Sequence, residues 1–171
     1  STVKKTPLLS LQWQNLRPIS LNGTTILDPT TMATPEAAFA GRVREGLRLF
    51  GVDTERIENR VNLGVSDMLV GAGDRFVTIE LKVVASGLKV ALRPHQVAFL
   101  MRHAAAGRPC YVLVHYVGTL AKPGRVYLYH GRQAAALVVE GLRLSPLAMW
   151  PNRGMPWTEL ADILTGKTPT K

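Results

Sequence analysis

The chain has 171 residues, 46% of them hydrophobic, with 21 Lys and Arg against 12 Asp and Glu, a formal net charge of +9 and one cysteine. That apolar content supports a packed core and excludes a disordered tail, and no apolar run approaches the ~20 residues a membrane helix needs. Cys110 alone excludes an internal disulfide and a cysteine metal cluster, and the opening "STVKKTPLLSLQWQ" has no secretory h-region, so a reducing, cytoplasmic setting is expected. The basic excess attracts polyanions, nucleic acid above all. Its cations are dispersed along the chain rather than gathered in a tail, which suits a coated folded surface.

In chain order, residues 1–33 are polar and turn-rich and form an N-terminal arm. Within it Asn22-Gly23 joins two strand-like runs over 18–27, a type I′ hairpin signal. Residues 34–51 read as a helix, with Thr34 as N-cap, Pro35 in the first turn and Gly51 at C′. Its core stripe is Ala40, Val43, Leu47 and Phe50, with Glu36 on the same stripe and Glu45 facing away. Three strands follow, 56–62, 65–70 and 75–84, with the turn "GAGD" before the third. They are too close together for crossovers and therefore form an antiparallel meander. A second helix over 93–107 precedes strands 109–118 and 125–130, the first of which can run parallel to its neighbour. Helices over 132–142 and 156–164 complete the reading. The expected fold is α/β, a mixed central sheet flanked by helices in the order α-β-β-β-α-β. The expected core spans 34–145, with 146–171 as a C-terminal extension.

The chemistry concentrates in "FVTIELKV", residues 76–83. Strand side chains alternate, so Glu80 and Lys82 share one face while Ile79, Leu81 and Val83 take the other. Alone, this is an ordinary same-face ion pair. Asp67, in "NLGVSDMLV", interrupts a neighbouring strand, and folding that strand back can bring it near Glu80, with the register left open by the sequence. Two close buried carboxylates are costly unless something offsets their charge. Mg²⁺ prefers oxygen ligands, takes one or two carboxylates and keeps several waters. An ammonium beside such a site can hold a water or offset charge on a phosphate. Glu36, by contrast, is also accounted for as a first-turn acid facing the helix dipole.

The run "GVSD…TIELK…RPHQ" resembles the PD-(D/E)XK nuclease superfamily, especially its VRR-NUC and phage-type Holliday junction resolvase branches. The likeness covers about 34–117, with Ser66 standing where those branches have proline. It implies a restriction-endonuclease-like fold and a metal-dependent DNA endonuclease, structure-selective for junctions or flaps and of phage origin. It implies Glu36, Asp67, Glu80, Lys82 and Gln96 as the catalytic set. Metal ligands would be Asp67, Glu80, Glu36 and the Leu81 carbonyl, for Mg²⁺ with Mn²⁺ able to substitute. DNA is the implied partner, with a homodimer for paired cuts. Arg42, Arg44, Lys89, Arg93 and Arg102 are candidates for phosphate contacts, which position a duplex without reading sequence. A homing or restriction-like sequence-specific enzyme, an RNA nuclease and a non-catalytic DNA-binding module remain alternatives.

Other patterns are weaker. "TGKT" at 165–168 resembles the end of a phosphate-binding loop, but Ala161 stands where its first glycine belongs. The four histidines show no zinc spacing. Trp13, Trp150 and Trp157 suit packing better than base stacking.

Overall fold

The computed structural model describes residues 34–57 and 66–167. The 18–27 hairpin, residues 58–62 of the first expected strand, Val65 and Trp13 lie outside them. Helix α1, Pro35–Arg48, starts where Thr34 Oγ1 accepts the Ala37 amide at 3.2 Å. Phe39, Ala40, Val43, Gly46 and Leu47 form its buried stripe. Phe50 does not join that stripe and is 46% exposed. The helix stops at Arg48, Leu49 becomes the C-cap, and Gly51 turns the chain at φ +68°, so helical spacing no longer applies at position 50.

Among the described residues six strands form one sheet in sequential order: β1 (Asp53–Arg56), β2 (Met68–Ala72), β3 (Arg75–Val84), β4 (Cys110–Tyr116), β5 (Arg125–His130) and β6 (Ala148–Pro151). β1, β2 and β3 form the antiparallel meander. β3 and β4 pair in parallel across the crossover helix α2, Pro94–Ala105, so the mixed sheet follows the expected order. Three details differ. The first strand begins at Asp53 rather than Arg56, as a polar edge whose side chains mostly face water. The second starts at Met68 and continues through Gly71 and Ala72, leaving only Gly73-Asp74 as the turn. β6 is additional. It is a short edge strand, and an edge tolerates its terminal proline.

The sheet separates two apolar cores. One gathers Val43 and Leu47 of α1, Ile79 and Leu81 of β3, and Leu160 and Leu164 of α4 (Trp157–Thr165). The other gathers Leu100 of α2, Val112 and Val114 of β4, Tyr129 of β5, and Leu137 of α3 (Ala134–Glu140). The 132–142 helix is thus shorter than expected, with single 3₁₀ turns at 131–133 and 141–143. Trp150 is buried and donates its indole N–H to Glu159 at 2.7 Å, and Trp157 lies against Gly46. Both tryptophans therefore serve packing. No helix of the described residues is long and apolar enough to cross a membrane.

Gly46 is where α1 and α4 come closest, and a Cβ there would strike the Trp157 ring. Alanine is worth about 1 kcal/mol more than glycine in a helix, yet forced overpacking costs about 1–3 kcal/mol. Gly46→Ala should therefore lower stability to urea. A stabilised variant would contradict this packing.

Candidate active site

The site begins with register. Met68 sits opposite Ile79 in the β2–β3 ladder, so one step back along β2 places Asp67 opposite Glu80 on the other face. Asp67 itself lies just before β2, where its carbonyl accepts the Ile57 amide at 2.9 Å. Its Oδ2 accepts the Leu81 amide at 2.9 Å. The backbone N–H and C=O of one strand residue point to the same side. The Leu81 carbonyl accordingly lies on the Asp67 side, while the Leu81 side chain is buried in the α1 core.

Glu80 is 1% exposed and, with Ser66, is one of the two buried polar residues among those described. Lys82, two residues on and on the same face, donates from Nζ to Glu80 Oε1 at 2.6 Å. Gln96 Nε2 donates to the same oxygen. Gln96 is placed by the start of α2, where its Oε1 accepts the Arg93 amide at 2.9 Å, half of a capping box. One glutamine thus ties the helix N-terminus to the strand carboxylate.

Burial, then the Asp67 charge, pushes the Glu80 carboxyl up to about 7, against the opposing pull of Lys82. The cause is the cost of holding a charge away from water beside a like charge.

Glu36, Asp67, Lys82, Lys89, Arg93 and Gln96 line one cleft of about 550 Å³. The structure thus brings the expected acids, lysine and glutamine together, with two of the expected phosphate-contact cations at the rim. The others lie elsewhere. Arg44 borders a small separate cavity with Thr54 and Arg56. Arg102 is in the last turn of α2, away from the end that carries Gln96. Arg42 is half-buried over the Phe39 ring at 5.3 Å. Beside it is a residue with no assigned role in the sequence reading, His115. Its signal was there: it interrupts the otherwise buried apolar run "CYVLVHY".

Among the described residues no three His, Cys, Asp or Glu side chains cluster as a ready-made metal cage. Two facing carboxylates and a backbone carbonyl still fit a hard cation that retains water, because Mg²⁺ takes only one or two protein carboxylates. The hydrogen bonds at the site engage Asp67 Oδ2 and Glu80 Oε1, and the Asp67 and Glu80 carboxyls also come within hydrogen-bonding reach of each other, a contact that a shared cation would replace.

No family model matches the chain. No curated protein matches it. Among solved structures, it is similar to Hjc, a Holliday junction resolvase from the archaeal hyperthermophile Archaeoglobus fulgidus. The identity is 15%, over 79% of this chain and 98% of that one, with a TM-score of 0.44.

A raised carboxyl pKa carries a stability signature. The neutral acid is tolerated in the fold, so its contribution is intact below the ordinary value of 4.5 and is lost as pH rises through about 7. The shift corresponds to roughly 3 kcal/mol. In the metal-free protein, Glu80→Gln should match wild-type stability at pH 4 and exceed it progressively toward pH 8. Thermal melts across that range check this, and a constant difference would contradict the burial of a titrating acid.

Proposed function

We propose that the chain is a metal-dependent endodeoxyribonuclease that hydrolyses phosphodiester bonds, with a preference for branched DNA such as junctions or flaps. The observation that supports this best is the convergence of Asp67, Lys82 and Gln96 on one cleft lined also by Lys89 and Arg93, with buried Glu80 held directly behind it by Lys82 and Gln96. A binding module has no use for a buried carboxylate at a phosphate-facing cleft, where it repels the ligand.

In this reading Asp67, Glu80 and the Leu81 carbonyl would hold Mg²⁺, or Mn²⁺ in its place, with Glu36 reaching the same cleft from α1. Such an ion lowers the pKa of a bound water and polarises a phosphoryl oxygen. The protein's own groups do the rest. Gln96 fixes the orientation of the Glu80 carboxylate toward Asp67. Lys82 keeps an ammonium at the cleft, where it can donate to the attacking water or to the phosphate as negative charge grows. Lys89 and Arg93 offset the charge of the substrate backbone as it enters, which positions the DNA without reading bases. Two symmetric cuts across a junction would require two such sites, hence a homodimer.

The test is incubation with four-way junction, flap and linear duplex DNA, with Mg²⁺ or EDTA, beside Lys82→Ala. Metal-dependent cutting should appear, strongest on a branched substrate, and Lys82→Ala should lose about 10²–10³-fold in rate while still binding DNA. Tight binding with no cutting in Mg²⁺ or Mn²⁺ would overturn the catalytic reading.

A further inference from the structure

Beside the cleft the surface turns apolar. Leu88, Val138 and Val139 share a depression of about 400 Å³ with Lys89, Glu140 and Arg143. All three apolar side chains reach solvent, Leu88 at 39% exposure and Val139 at 80%. Apolar residues scattered singly over a surface are ordinary, whereas a contiguous group rimmed by polar residues marks an interaction surface. Lys89 also lines the active cleft, so the two depressions adjoin.

The patch is held in place by the backbone. The segment between β3 and α2 buries Val90 and Leu92 in the α2 core yet leaves Leu88 outside. The Leu142 amide donates to the Leu88 carbonyl at 2.8 Å. Gly141, at the end of α3, has φ +59° and ψ −143°, a region nearly closed to other residues, and a Cβ there would strike the same carbonyl. Leu88 and Lys89 are thus seated against the end of α3. Lys89 and Arg143 outnumber the one acid, Glu140, so the apolar group sits in a net positive rim. That combination suits nucleic acid, whose phosphates meet cations and whose base faces meet apolar groups. Within a continuous duplex each base hides both faces in the stack, and a face is free only where the stack is broken.

We infer that the patch of Leu88, Val138 and Val139 seats the branch point of the DNA, with these side chains against free base faces and Lys89 and Arg143 on the flanking phosphates. This rests on the nuclease reading for its substrate and gives the preference for branched DNA a physical origin. A continuous duplex offers phosphates to the two cations but no base face to the patch. Apolar side chains are suited to the role, since they enter base steps as wedges and unstack them. Glu140 opposes phosphate in the same depression, which weakens any duplex held there by charge alone.

The test follows binding of a labelled four-way junction in EDTA by anisotropy, with a relaxed closed duplex circle, which has no free base face, as competitor. Wild type should prefer the junction. Leu88→Ser combined with Val139→Ser should cut that preference about tenfold through lost apolar burial. Val139→Ser alone, at a side chain too exposed to support the fold, should cut it part of the way. A 2-aminopurine at the branch point should brighten as wild type unstacks it and stay dim with the double variant. No DNA binding or no junction preference in wild type, or an undiminished preference in both variants, would overturn the site. So would a preference lost only together with a dimer, read by light scattering, while 2-aminopurine stays dim with wild type, since the patch would then be a seam between two copies. Cutting is read separately in Mg²⁺. Patch-dependent junction binding without cutting upholds this site while the catalytic reading falls, and cutting without a patch-dependent preference does the reverse.

Discussion

The structure depends on a carboxylate held out of water. Glu80 is 1% exposed, and a buried, unpaired carboxylate costs several kcal/mol. The fold offsets this with donors from two directions: Lys82 on the same strand and Gln96 on the following helix, both meeting one oxygen of Glu80. Asp67 works against them from the neighbouring strand, and the outcome is an acid poised near neutrality. An acid in that balance is one cation away from being fully ionised. The balance, more than any single residue type, is what distinguishes this strand from an ordinary surface ladder.

Topology makes the balance possible. The two-residue turn at Gly73-Asp74 sets Ala72 opposite Arg75 and therefore Asp67 opposite Glu80. The parallel β3–β4 pair requires a crossover, and the crossover returns as α2 with its N-terminus over the C-terminal half of β3, where Gln96 can reach Glu80. α1, packed on the opposite face, brings Glu36 to the same cleft. Three separate elements thus meet at one end of the central strand, and the cations at that end come with them.

Much of this was legible in the sequence. The helix start at Thr34-Pro35, the long third strand, the crossover helix and the sharing of one face by Glu80 and Lys82 all follow from caps and periodicity. The Asp67–Glu80 pairing did not. Reading all of "GAGD" as the loop would set Val70 opposite Arg75 and Asp67 opposite Thr78, a shift of two residues that keeps the face but loses the pairing. The edge strands β1 and β6 were obscured for a related reason. One is polar and the other is short and ends in proline, so neither shows the alternation of a strand buried on one face. Phe50 was misplaced because periodicity cannot say where a helix stops. The environment of Arg42 was out of reach altogether, since it is assembled from α1, β4 and the end of β6.

The central claim is that Asp67 and Glu80 share a divalent cation, and proton release on Mn²⁺ binding tests it most directly. At pH 6 a Glu80 carboxyl poised at about 7 is mostly protonated, and a metal must displace that proton. Calorimetric titration at pH 6 in two buffers of different ionisation enthalpy should report release of about one proton per ion, falling toward zero at pH 8 and absent in Glu80→Gln. Binding without proton release, or equal binding by Glu80→Gln, would mean that the cation sits elsewhere and that the buried carboxylate has another purpose.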